Sequence, residues 1–367
     1  MESDVLLILV VVTALAFDFT NGFHDTANAM ATSIATRALP PRAAVGLSAA
    51  LNFVGAFISI EVATTIAEDI VDEQLITLEM LFAGLLGAIL WNLATWALSL
   101  PSSSSHALIG GVVGAALVAK GGDAVKSDGL FSEVIIPAVI APIAAGAVGL
   151  VATFVAYRIR RHALRPRADR GFRFGQLGSA SLVSLAHGTN DAQKTMGVIV
   201  LALLAHGSMD AGNVTVPLWV KLSAATAIAL GTYAGGWRII RTLGKRVTGE
   251  VESPQGFSAE SSAGAVILAS SYYGFPLSTT HVTSGAVIGS GLGKRLSEVR
   301  WGLAARMVAA WLVTLPAAGA VAALAFELSD AIGAGFGAFL VALAGAALAA
   351  TLFLLTQRRD RVTAETV

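Results

Sequence analysis

The chain of 367 residues is 55% apolar and only 13% charged, against about 25% charged in an ordinary soluble domain, so too little polar material is present to coat a water-exposed globule. Its 24 basic and 24 acidic residues cancel, which leaves no global field to attract a nucleic acid. The lack of cysteine excludes a disulfide framework and a thiolate metal site.

At the N-terminus Met1, Glu2, Ser3 and Asp4 run straight into an apolar stretch. The basic flank and small-residue cleavage site of a signal peptide are missing there, so this stretch reads as the first span. Hydropathy and punctuation predict about 11 membrane segments, near 5 to 35, 43 to 62, 79 to 100, 103 to 119, 134 to 157, 177 to 204, 218 to 240, 257 to 275, 277 to 293, 301 to 325 and 331 to 356. Several hold 18 or more nearly uncharged residues, long enough to cross a bilayer as a helix. The expected class is an all-α polytopic membrane protein.

Orientation follows from the basic residues. The loop after the fifth segment carries Arg158, Arg160, Arg161, Arg165, Arg167, Arg170 and Arg173, which the positive-inside rule assigns to the cytoplasm. Eleven crossings from an outside N-terminus also bring Arg37 with Arg42, Arg238 to Arg246, Lys294 to Arg300 and Arg358 to Arg361 to that side. The C-terminus is then cytoplasmic, and the acidic stretch from Glu61 to Glu79 lies outside. The pair 79 to 100 and 103 to 119 forms either two crossings or a re-entrant hairpin turning at Pro101; both versions start and end on one side.

Two patterns each occur twice, in the same order. GFHDTANA, Gly22 to Ala29, matches GTNDAQKT, Gly188 to Thr195, and PSSSSHALIGGVVGAAL, Pro101 to Leu117, matches PLSTTHVTSGAVIGSGL, Pro276 to Leu292. The chain therefore divides into a first repeat at 1–157, a basic cytoplasmic linker at 158–176, a second repeat at 177–325 and an extra C-terminal helix and tail at 326–367. Each unit holds an odd number of predicted spans, so the second copy is expected upside down. Inverted-topology repeats with broken helices bring substrate and coupling ions together near the membrane midplane.

Asp25 and Asp191 fall in apolar surroundings, where an ionised carboxylate costs roughly 2.5–3.5 kcal/mol even on the mildest scale. A cation, a proton or a water-filled cavity is the usual compensation; the plainer alternative is an aspartate capping a buried turn, which duplication disfavours. Gly22, Asn28, Gly188 and Asn190 beside them have the composition of unwound backbone, tolerated in membranes only beside a cavity. The hydroxyl runs Ser103, Ser104, Ser105 and Ser278, Thr279, Thr280 follow prolines and open glycine-rich helices, so free N–H groups, a helix dipole and several hydroxyls converge as an oxyanion would require. One hydroxyl suffices for an N-cap; three in both copies suggest a site in two paired hydroxyl-rich helical hairpins.

His106 and His281 end these runs, as proton carriers or as donors to a carbonyl. His24 and His187, at inequivalent offsets from the aspartates, are candidate pH-sensitive groups. Lys194 stands where the first copy has Asn28 and admits three roles: pairing with Asp191, contacting the anion, or replacing a bound cation. Asn52 and Asn92 read as helix-to-helix glue. An anion beside two carboxylates requires accompanying positive charge, so the site must load cations together with it.

The sequences GFHDTANAMAT and AHGTNDAQKTMG resemble the two signature copies of the inorganic phosphate transporter family, built around a GANDVANA core, and PSSSSH and PLSTTH resemble its paired hairpin tips. The likeness runs from Phe17 to about Ala325. It implies an inverted-repeat fold, a homodimer, and inward movement of phosphate with a cation by alternating access across the cell inner membrane, with no nucleic acid and no enzymatic cofactor. Carried over by position, it implicates Asp25, Asn28, Asn190 and Asp191 in cation and phosphate coordination, and Ser103 to Ser105 with Ser278 to Thr280 in phosphate binding; His24 and Lys194 join the cation- and proton-coupling set. His24 in place of the core asparagine, and Lys194 in place of the asparagine expected in the second copy, look like the bacterial low-affinity branch. That branch couples to H+ and carries phosphate complexed with Mg2+ or another divalent metal, which places Na+ coupling in doubt.

Three rivals follow from the same residues. A sulfate permease on the same scaffold would bind another tetrahedral anion, and an intramembrane hydrolase would use serine, histidine and aspartate at membrane depth, although every candidate here is duplicated. A channel would show flux that neither saturates nor depends on a cation gradient. No nucleotide-binding loop is present, so no ATP drive is expected from this chain.

Overall fold

Capping chemistry and first-turn prolines set several helix starts. Thr77 accepts a hydrogen bond from the Met80 N–H (3.4 Å), Ser103 from His106 (3.1 Å) and Ser278 from His281 (3.2 Å), while prolines occupy first-turn positions where no N–H is needed. The resulting elements are α1 (Glu2–Ala35), α2 (Pro41–Gly55), α3 (Glu61–Glu68), α4 (Leu78–Ala97), α5 (Ser104–Lys120), α6 (Ser127–Gly129), α7 (Ile136–His162), α8 (Arg165–His206), α9 (Leu218–Ala234), α10 (Trp237–Arg241), α11 (Ser253–Tyr272), α12 (Thr279–Lys294), α13 (Trp301–Ile332) and α14 (Ala334–Arg359). These come from a computed structural model that describes residues 2–210, 214–295, 299–359 and 361–367; Met1, where the first predicted unit begins, lies outside the described residues. Among the described residues the only β pairing is two isolated antiparallel bridges, Val71 with Val125 and Thr248 with Val299.

The described residues form an all-helical fold, and among them five helices are long and apolar enough to cross a membrane: Ser3–Ala35, Leu78–Ala97, Ser127–His162, Trp301–Ile332 and Gly335–Arg359. Side chains such as Ile140, Ile143, Phe154, Leu312, Leu324 and Phe339 on α7, α13 and α14 stay exposed, an apolar belt of the kind that lipid or another membrane helix covers. α8 lacks that uniform hydropathy because its middle carries the polar motif.

Two sequence expectations are corrected. The helices at the duplicated motifs are not broken: α1 and α8 run without interruption through Asp25 and Asp191. The glycines there serve close approach instead of unwinding. A Cβ on Gly22 would stand 2.2 Å from the Ile228 carbonyl oxygen in α9, and one on Gly188 would stand 2.2 Å from the Asn52 carbonyl oxygen in α2. Secondly, the basic linker is mostly helix, because α8 begins at Arg165. The chain breaks instead between α4 and α5 and between α11 and α12, at the two hydroxyl-rich tips. There Ser99 (φ 58°) and Gly274 (φ 79°), each two residues before the proline that opens its pattern, take left-handed backbone conformations.

α1 and α8 lie antiparallel. His206 Nε2 is 3.3 Å from Asp4 Oδ1, the acids Asp25 and Asp191 meet midway, and Thr36 donates to Gln176 Oε1 at 2.7 Å. One apolar cluster packs Leu6 to Phe17 against Ala192 to Leu203, and a second packs Ala27 to Ile34 against Ala180 to Ala186. The buried polar residues 18 to 28 and 187 to 195 sit between the two clusters. The hairpin helices cross over: α5 packs on α13 through Gly110 and Gly114, and α12 packs on α7 through Gly285 and Gly289.

Candidate functional site

Helical spacing puts Asp25, Asn28 and Thr32 along one face of α1, with Thr36 just past its end, and His187, Asp191 and Lys194 along one face of α8. Antiparallel packing turns these faces toward each other, and both hairpin tips close on the gap. Asp25 Oδ1 is 2.7 Å from His24 Nδ1 and accepts from Thr280 Oγ1 at 3.3 Å. Asn28 Nδ2 donates to Thr280 Oγ1 (3.0 Å) and to Thr279 Oγ1 (3.4 Å). Thr279 in turn donates to Asp191 Oδ2 at 3.1 Å.

Lys194 reaches the other tip. Its Nζ donates to Ser105 Oγ (2.6 Å), to the Leu277 carbonyl (2.7 Å) and to Asp191 Oδ1. His187 Nε2 lies 3.0 Å from Asp191 Oδ2, close enough for an ion pair but outside hydrogen-bond alignment, and its Nδ1 is 3.2 Å from Asn52 Oδ1. Asp25, His187 and Asp191 each present a ligand atom, all within 4.8 Å of one another. Carboxylate and imidazole donors at that separation suit a small cation or a proton.

The remaining expected residues divide by role. Ser103 and Ser278 are helix caps, so each spends one acceptor position on its own helix. Ser104 Oγ, Asn28 Oδ1 and Asn190 Oδ1 are buried with no hydrogen-bond partner; such orphaned groups within a polar cluster mark room for a ligand or water. Asn190 Nδ2 holds its own hairpin through Ser271 Oγ (2.9 Å) and the Phe275 carbonyl (3.1 Å). His24, at the equivalent place in α1, faces Thr95 Oγ1 (3.3 Å) and Ser102 Oγ (3.5 Å) of the first hairpin. His106 and His281 lie beyond the caps with ring centroids 4.7 Å apart, and His281 stacks on Trp311.

Sequence reasoning missed three features. Asp18 is fully buried beside Asn21 and Thr195; its position seven residues before Asp25, two turns along the same face, was the signal. Gln193 Oε1 accepts from the Val62 and Ala63 N–H groups (3.0 and 3.3 Å), capping α3 from the motif of the other half. Glu260, a lone acid inside an apolar segment, is caged by hydroxyls of Thr32 (2.7 Å), Ser33 (2.6 Å) and Ser179 (2.6 Å) and by Gln176 Nε2 (3.3 Å). Thr36 continues from Gln176 to a cavity of about 1060 Å³ lined by Arg37, Arg160, Arg173, Lys245 and Arg300. These groups form a polar track from Thr32, about one helical turn past Asn28, to that cavity, whose wall also carries Asp169, Glu250, Glu252 and Glu365.

The phosphate transporter family matches residues 21–322 of this sequence. The chain belongs to the phosphate transporter family. A probable low-affinity inorganic phosphate transporter of Mycobacterium tuberculosis (strain ATCC 25618 / H37Rv) is 59% identical over 354 residues, 96% of this chain and 84% of that protein. One of Bacillus subtilis (strain 168) is 43% identical over 332 residues, 89% of this chain and 98% of its own length. A solved structure described as the sodium-dependent phosphate transporter superposes with TM-score 0.80 at 23% identity, covering 89% of this chain and 100% of that one; at that identity the likeness speaks for the fold. As a member of the phosphate transporter family, the chain is a transporter and not an intramembrane hydrolase.

Proposed function

We propose that this chain is a secondary active symporter that imports inorganic phosphate across the cell membrane by alternating access, either as the free ion or as a neutral complex with a divalent metal. The observation that carries the reading is the convergence of both duplicated acids and both hydroxyl-rich tips in one buried cluster. Ser104, Ser105, Thr279 and Thr280 with Asn28 hold the tetrahedral oxyanion, while Asp25 and Asp191 recruit the cation that offsets its charge. Phosphate is the assigned anion because the relatives are named as phosphate transporters.

The antiparallel α1 and α8 support two inverted repeats, at 1–157 and 177–325, with α14 added outside them. Eleven segments, an outside N-terminus and a cytoplasmic C-terminus fit the basic residues. Loading anion and cation together neutralises the cluster, and only the empty or the fully loaded form crosses the low-dielectric layer at modest cost. Coupling to H+ or Na+ and assembly as a homodimer complete the reading.

Labelled phosphate uptake into proteoliposomes tests it, with proton and sodium gradients imposed separately, magnesium present or absent, and sulfate as competitor. Saturable, gradient-driven phosphate accumulation is expected. Flux that ignores every cation gradient would mean a channel, and sulfate uptake in preference to phosphate would reassign the anion.

A further inference from the structure

The two copies of the acidic motif differ at two places that bear on charge, His24 against Asn190 and Asn28 against Lys194, and only the second puts a fixed ammonium into one copy alone. Aligned on Asp25 and Asp191, the first copy has Asn28 where the second has Lys194. Both side chains do the same geometric task, reaching across to the hairpin tip of the other half: Asn28 to Thr280, Lys194 to Ser105. These two hydroxyls are themselves equivalent within the PSSSSH and PLSTTH patterns. Asn28, however, brings no charge to Asp25, whereas Lys194 brings an ammonium into contact with Asp191.

The surroundings of the Lys194 nitrogen are those of a bound cation. Three oxygens of different kinds converge on it, the Ser105 hydroxyl, the Leu277 carbonyl and the Asp191 carboxylate, and the side chain is 1% exposed. Hydroxyl, carbonyl and carboxylate oxygens are also what a hard monovalent cation selects. An ammonium so held satisfies its three N–H donors, one per oxygen, and leaves no room for a second cation at the same oxygens.

We propose that Lys194 is a built-in counter-cation: its ammonium permanently fills the cation position belonging to Asp191, so the transport cycle loads a mobile cation only at the position belonging to Asp25. This deepens the symport reading above and rests on it. The chain would therefore take up one cation fewer per cycle than a version with asparagine in both copies, and its Asp191 half would not respond to external sodium.

The experiment compares the full wild-type chain with Lys194→Asn and Lys194→Arg, in proteoliposomes for phosphate uptake and in detergent for the number of sodium-22 ions bound per chain. For Lys194→Asn, uptake without sodium is expected to fall at least tenfold and to recover saturably as sodium replaces potassium, with one more sodium bound than in wild type. Lys194→Arg keeps a tethered charge and should acquire neither property. The proposal is overturned if folded Lys194→Asn binds the same number of sodium ions as wild type, whether or not it transports. Should Lys194→Asn fail to fold, Asn28→Lys decides: a second tethered ammonium beside Asp25 must abolish the stimulation of phosphate uptake by whichever cation gradient, proton or sodium, drives the wild type, and undiminished stimulation overturns the proposal. A wild-type chain that moves no phosphate would instead sink the symport reading, while the cation counts would still be readable.

Discussion

Asp25 and Asp191 occupy equivalent positions yet face different electrostatic surroundings, and their removal should separate accordingly. Asp191 holds the Lys194 ammonium, so Asp191→Asn strands a buried charge, a loss of about 3–5 kcal/mol when one partner of a buried pair is deleted. Asp25 faces the His24 ring and a threonine hydroxyl, neither of which is a fixed charge like the Lys194 ammonium. Both Asp25→Asn and Asp191→Asn should abolish coupled uptake, but only Asp191→Asn should lower the melting temperature in detergent by a large margin. Equal melting temperatures would mean that Lys194 finds another counter-charge. Thr280→Ala removes the hydroxyl shared by Asp25 and Asn28 and should cost about 1–3 kcal/mol by leaving their buried polar atoms unpaired. Its uptake should fall through weaker phosphate binding, read as a raised KM.

At the scale of elements, close helix approach replaces the unwinding that the sequence suggested. Gly22 and Gly188 are confronted by carbonyl oxygens at 2.2 Å from where a Cβ would stand, so Gly22→Ala and Gly188→Ala must each push a neighbouring helix aside. Overpacking of this kind costs about 1–3 kcal/mol, and the closer crowding at Gly188, where the Asn52 Cα would stand 2.6 Å from a Cβ while the nearest carbon at Gly22 stands 3.0 Å away, predicts the larger loss there, measurable by thermal unfolding in detergent. Gly274 is a different case: its φ of 79°, with Thr65 Oγ1 only 3.1 Å from the place a Cβ would take, makes a β-branched side chain strained there. Gly274→Val should destabilise the second hairpin by roughly 2 kcal/mol and slow uptake without touching any cluster residue. What was legible in the sequence follows from this contrast. The hairpin tips announced themselves by proline, hydroxyls and histidine, whose local chemistry forces the break. The motif helices did not announce their continuity, because glycine and asparagine carry the same composition whether a helix unwinds or a neighbour comes close. Glu260 stayed hidden for a related reason, since its hydroxyl and amide donors come from 32, 33, 176 and 179, far apart in sequence and joined only by the antiparallel crossing of α1 and α8.

For the whole molecule, orientation is the property on which alternating access depends, and the absence of cysteine makes it directly measurable. The contact of Asp4 with His206 at one end of the α1 and α8 pair, and of Thr36 with Gln176 at the other, puts the basic residues Arg37 and Arg173 on one face and the acidic stretch from Glu61 to Glu79 with the opposite one. Positive residues stay on the cytoplasmic side because translocating them is disfavoured. Single cysteines at Glu73→Cys and Ser208→Cys should therefore react with an impermeant maleimide added to intact cells, and Arg170→Cys and Lys245→Cys should react only after the membrane is opened. All four positions lie away from the central cluster, so labelling reports topology and leaves transport as an internal control. If Glu73 and Arg170 proved accessible from one side, the two halves would not be inverted. The acids and hydroxyl tips would then share a cluster without a symmetry-related second state, and a rocking exchange of the two halves could not carry phosphate across.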